Sequence, residues 1–200
     1  MSQRSTVAHF MHDAGLAAWF GGSLMGAIGV NGAAAKVDDP RQRNVVANAG
    51  WNRWTPINAA AIGAHVVGGA LILKDNKGRV AAQSGVFGNT ALKLALTAGA
   101  LGATAYSRVL GKKLDAAGDV PVEGGTTPSA ATPPEVAKAQ KQLGVMQWVV
   151  PGLTGAVLAS STLHEEQQRP AQVALGVLKR VPAVVGAAAT GAAARVASSS

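Results

Sequence analysis

The stretch Pro56 to Leu73, PINAAAIGAHVVGGALIL, passes eighteen residues without a charged side chain. A helix rises 1.5 Å per residue and the hydrocarbon core of a bilayer is about 30 Å thick, so about 20 mostly apolar residues cross it. The stretch is rich in Ala, a residue that favours helix over strand. Thr55 and Pro56 read as a helix start, a hydroxyl cap followed by a residue whose missing N–H costs nothing at the first helical position. Just upstream, WNRW places Trp51 and Trp54 where an aromatic belt is expected at a membrane surface.

Working outward, two more uncharged runs have about this length, and a third, weaker one is uncharged only over 94–107. Residues 14–35 are free of charge between Asp13 and Lys36. Residues 86–107 are interrupted by Lys93, whose ammonium group is expected to snorkel to the near interface, with Arg108 at the far one. Residues 143–163 carry Pro151, where a kink is expected, tolerated if a neighbouring helix covers the freed carbonyl. The expectation is an all-α integral membrane bundle of four transmembrane helices over residues 1–169. The connectors are 36–54, a turn at KDNKGR (74–79), and a flexible loop over 115–134 rich in Pro, Gly, Thr and Ser. No strand pattern competes. Residues 170–200 read as an Ala-rich interfacial or disordered tail, a fifth span being the alternative.

Composition agrees in part. Charged residues make up 14% of the 200, against about 25% in ordinary soluble domains. The mean hydropathy is only +0.20, because the apolar content is mostly Ala, Gly and Val. That bias suits a bacterial genome of high GC content and so a bacterial cytoplasmic membrane. The formal net charge of +8 comes from 18 scattered Lys and Arg. They form no basic helix and are not interleaved with aromatic residues, so lipid headgroups are expected as partners and nucleic acid is not. Their distribution over the two sides is nearly even, which leaves orientation undecided. No cysteine is present, which removes disulfides and thiolate chemistry.

Lipid tails are as apolar as Leu, so helices in a bilayer associate through close packing at small residues four apart. Such ridges are Ala18, Gly22 and Gly26; Ala60, Ala64 and Gly68; Ala95, Gly99 and Ala103; and Gly152, Ala156 and Ser160. Bundles packed in this way leave little room for a substrate cavity.

Chemistry is sparse. His65 sits mid-span, where an imidazole can ligate haem, bind a quinone oxygen or relay a proton. A bis-histidine haem site needs a second mid-span histidine, and the reading of the spans provides none. His9, His12 and Asp13 precede the first span, and His164, Glu165 and Glu166 follow the fourth. An even number of spans returns both groups to one membrane face, where they are ligand types for zinc or iron. Asn31, Asn58, Gln147, Thr97, Thr104 and Thr154 are expected to form interhelical hydrogen bonds. Phosphate-binding, dinucleotide, metalloprotease and nucleophile-elbow motifs are absent from the sequence. The expectation is therefore a non-catalytic membrane protein, an accessory or structural subunit of a larger membrane complex or a homo-oligomer. A redox- or quinone-associated component using His65, and a small-solute channel or carrier, are the alternatives.

Overall fold

The computed structural model describes residues 3–82 and 84–167. The chain divides after Leu158 into two units. Of the second unit, only residues 159–167 are described, as the end of the last helix. The first unit is built from long helices. The chain enters as α1 (Gln3–Met25), loosens into a π-helical turn (Gly26–Val30) and re-forms one α-turn, α2 (Asn31–Ala34). It then runs as α3 (Pro40–Ala82) and α4 (Ser84–Ala117), crosses a hairpin of β1 (Val122–Gly124) and β2 (Thr127–Pro128), and ends in α5 (Pro134–Gln167). The all-α class holds.

Two segments, Pro40–Lys77 and Pro134–Ser161, are long and apolar enough to cross a membrane. Among the described residues the other two long helices do not meet those criteria. Lys93, partly buried, interrupts α4, and α1 opens on the polar residues QRST and carries His9, His12 and Asp13.

Helix boundaries depart from the sequence reading in an instructive way. The start of α3 is not at Thr55–Pro56 but sixteen residues earlier. There Asp39 caps the helix, its carboxylate accepting from the Arg41 N–H at 2.9 Å, and Pro40 takes the first helical position. Pro56 lies inside the helix. Thr55 does not cap; its hydroxyl donates back to the Trp51 carbonyl at 2.8 Å. The expected turn over residues 74–79 is likewise helical, and Asn76 donates to the Ile72 carbonyl at 2.9 Å, a bond to its own helix. α4 continues to Ala117, ten residues past the expected span. Leu110 and Leu114, one turn apart, bury against Ala139 and Leu143 of α5. It ends at Gly118, whose φ of 67° is the left-handed conformation that terminates helices. α5 runs through Pro151 without a break.

The segment 115–134 carries local structure that its composition does not announce. β1 and β2 pair antiparallel, Val122 opposite Pro128 and Gly124 opposite Thr127. Val122 is fully buried. Two side chains, Arg43 and Gln140, hold the hairpin to the helices, and a third, Asn44, holds the end of α4 that leads into it. The Arg43 guanidinium donates to the Val37 carbonyl at 2.7 Å and reaches the carbonyls of Val122 and Glu123 at 3.4 Å. Gln140 donates to the Gly124 carbonyl at 3.0 Å. Asn44 donates to the carbonyls of Leu114 and Gly118 at 2.8 and 2.9 Å, satisfying acceptors that the end of α4 leaves open.

The centre of this unit is Trp19. Its indole is fully buried with Ala100 and Val150, and Ile62, Ala103 and Leu153 pack around them, so α1, α3, α4 and α5 all meet there. The indole N–H donates to the Thr104 hydroxyl at 3.2 Å.

Candidate functional site

α1 and α3 lie antiparallel and touch along their length. At the level of Gly15 and Gly68 the two backbones are in direct contact. A Cβ on Gly15 would stand 2.6 Å from the His65 nitrogen, and one on Gly68 would stand 2.6 Å from the Ala8 oxygen and the His12 nitrogen. Neither position accepts any side chain, because the obstacle is main chain and cannot rotate away. Further along, Gly22 and Gly26 lie under the indoles of Trp54 and Trp51. These two glycines belong to the ridge expected for the first span. On the second expected ridge Gly68 makes contact, whereas Ala60 is exposed.

Between the two glycine contacts sit His12 and His65. Their rings stack with centroids 4.1 Å apart and planes 20° from parallel. The Nδ1–H of His12 donates to the His65 carbonyl at 3.0 Å, and the Nδ1–H of His65 donates to the His12 carbonyl at the same distance. A carbonyl only accepts, so both Nδ1 atoms carry their protons, and in the neutral rings the lone pair is on Nε2. Trp19 meets the His65 ring edge-on at a centroid distance of 6.2 Å. His65 is buried, and His12 is partly exposed.

The two halves of this contact are equivalent in sequence. Ala8, His12 and Gly15 on α1 correspond to Ala61, His65 and Gly68 on α3, 53 residues apart. Each Ala and His backbone receives the other helix's glycine. The arrangement is a local two-fold pair formed within one chain. The second histidine that the sequence reading did not find is His12. It was placed outside the first span because Asp13 follows it, and its signal was the repeated spacing of Ala, His and Gly.

What the pair can do follows from its geometry. Histidine ligands to metals commonly donate their other ring nitrogen to a carbonyl, as both do here. A lone pair lies in the plane of its ring, and a shared metal at about 2.0–2.1 Å from both nitrogens would have to lie in both planes. Near-parallel stacked rings do not offer such a point. The two rings therefore do not share one metal ion, and each Nε2 can act only as a single base or ligand.

The expected cluster of His9, His12, Asp13, His164, Glu165 and Glu166 divides differently. His9 and Asp13 are exposed on α1, while His12 turns inward to His65. The side chains of His164, Glu165 and Glu166 lie outside the described residues. Among the described residues no group of three or more His, Asp or Glu gathers at metal-binding distance.

Of the polar residues expected to bridge helices, several do. Asn31 donates to Gln147 of α5 and accepts from the Trp51 indole at 3.1 Å. Thr104 accepts from Trp19. Thr154 instead donates to Val150 of its own helix at 2.9 Å. Among the described residues the carbonyl oxygen of the Asn58 side chain and the indole nitrogen of Trp54 are buried without a partner.

The fold and this contact define a helical protein with two candidate membrane-spanning helices, closed on itself by a symmetric histidine–glycine contact. The chain matches no known family model, and no curated protein or solved structure shows significant similarity to it.

Proposed function

We propose that this chain is a non-catalytic integral membrane protein that embeds all four long helices in the bilayer and serves as a packing subunit, in a larger membrane complex or in a homo-oligomer. One observation carries the reading: the long helices leave much of their apolar surface uncovered while polar side chains are buried in the core. Only 17% of the apolar window of α3 and 33% of that of α5 is buried. A core helix of a soluble protein would be mostly covered. Ile57, Val66, Val67 and Leu71 on α3, Leu94 and Leu101 on α4, and Val145 and Trp148 on α5 are exposed. Asn44, Asn48, His65, Gln140, Gln147 and Thr154 are buried instead. Exposed apolar surface of this extent calls for lipid or for a partner.

The packing role rests on how the interior is used. The α1–α3 contact is backbone on backbone and leaves no channel, and the mid-helix imidazole of α3 is engaged by the carbonyl and ring of His12. Composition favours a bacterial cytoplasmic membrane as the setting. Blue-native electrophoresis after extraction in mild detergent tests the proposal. A species larger than the monomer is expected; migration only as a monomer overturns it.

A second reading has its own support. The two Nε2 lone pairs of His12 and His65 are what a haem iron or the hydroxyl of a quinol would engage. An absorbance spectrum and quinone extraction of the purified protein separate the two. A chromophore or bound quinone that disappears in His65→Phe would favour the redox component.

A further inference from the structure

Toward the hairpin end of the first unit, residues of α4 and α5 line a cleft of about 310 Å³. Its floor is apolar, formed by Leu114, Val136 and Ala139 above the buried pair Leu110 and Leu143. Its rim is not. Tyr106 and Lys113 edge it from α4, and Lys138 and Gln142 from α5. Glu135 is the one carboxylate among its lining residues. Among the described residues no ion pair engages either lysine or that glutamate. The cleft thus combines two uncommitted cations, a phenol and an amide over an apolar base, and it opens where the apolar stretch of α5 begins.

These groups suit one chemical class. A phosphate monoanion takes ammonium donors as point charges and amide or phenol N–H and O–H groups as lateral donors. Lysines beside a membrane-spanning segment attract anionic lipids, and tyrosine favours the headgroup level. The apolar floor is superfluous for free phosphate but fits the first carbons of an acyl chain.

We propose that this cleft binds the headgroup of an anionic phospholipid, its phosphate between Lys113 and Lys138 and its chain leaving along Val136 and Ala139. The proposal rests on the membrane reading given above. The test uses the full chain purified in mild detergent, loaded with phosphatidylglycerol or with phosphatidylcholine, washed, and analysed for retained lipid by native mass spectrometry. Wild type is expected to retain phosphatidylglycerol over phosphatidylcholine. The K113Q/K138Q variant should retain about twenty-five-fold less, on the order of a factor of five for each lysine. K113R/K138R should retain it, and K74Q/K77Q, on α3 and outside the cleft, should behave as wild type. Circular dichroism of each variant confirms that its helices persist.

Equal retention of the two lipids, or retention unchanged in K113Q/K138Q, overturns the proposal. Displacement of the lipid by inorganic phosphate alone would show that the cleft reads phosphate without the chain, and would overturn its assignment to lipid. A chain that partitions into water without detergent overturns the membrane reading itself, and the lipid assignment with it.

Discussion

Gly68 of α3 lies against the backbone of His12, three residues from His65, whose own ring nitrogen donates to the carbonyl of that same His12. Steric contact and hydrogen bond are thus supplied to one residue from one turn of the opposite helix, and the same holds with the helices exchanged. The contact is tight because it lacks side chains and specific because it keeps two.

The histidine pair should behave as one unit. His65→Ala removes a donor, a stacked ring and the partner of a buried carbonyl, and is expected to destabilise by about 2–4 kcal/mol. His12→Ala should cost somewhat less, since His12 is partly exposed. The double variant should cost less than the sum, with a coupling of about 0.5–3 kcal/mol. Unfolding by SDS titration in mixed micelles measures all three; strict additivity would show that the rings do not depend on each other.

The glycines divide sharply by position. Gly15→Ala and Gly68→Ala each drive a methyl group into main chain, and each is expected to cost about 3 kcal/mol or prevent folding. Gly63→Ala, on the same helix as Gly68 but with nothing within 4 Å of the new methyl group, should be neutral or stabilise by up to about 1 kcal/mol. Thermal unfolding in detergent compares the three.

The outward face of α3 tests the bilayer directly. Val66 is 43% exposed near the middle of the apolar stretch. Val66→Asp should oppose insertion by about 2.5–3.5 kcal/mol if that surface meets lipid. Alkaline extraction of expressed membranes reads the effect as a loss of membrane-bound chain. An unchanged fraction would place this face in water.

At the hairpin end, Asn44 is the residue to alter. Asn44→Ala forfeits two hydrogen bonds to carbonyls at the end of α4 and should cost about 1–3 kcal/mol. Asn44→Asp should cost more, because a carboxylate in place of the amide turns two donations into repulsions. Hydrogen exchange at residues 112–118 should rise in both variants.

The helical class was legible because charge is absent over long runs, and absence of charge is read from sequence without knowing contacts. Boundaries were less legible. Thr55–Pro56 and Asp39–Pro40 carry similar capping signals, and only the tertiary setting lets the helix continue through Pro56. The hairpin was hidden because its anchors, Arg43 and Gln140, lie on distant helices. Of the expected small-residue ridges, Gly22, Gly26 and Gly68 mark real contacts, whereas Gly152 and Ala156 face outward. Sequence spacing shows that a face is small but not which helix meets it. His65 was found as an ionisable group inside an apolar run. His12 was read with its polar neighbours, because pairing across 53 residues leaves only three matched positions as a trace.

The repeated Ala, His and Gly spacing has one more consequence. A surface that fits its own rotated image has no built-in means of telling α1 from α3. Connectivity, not recognition, decides which copy of the motif each helix meets inside the chain. Detached from that tether, a peptide of residues 3–25 is expected to dimerise with itself in micelles, and two whole chains brought close together have a ready route to exchange their first helices.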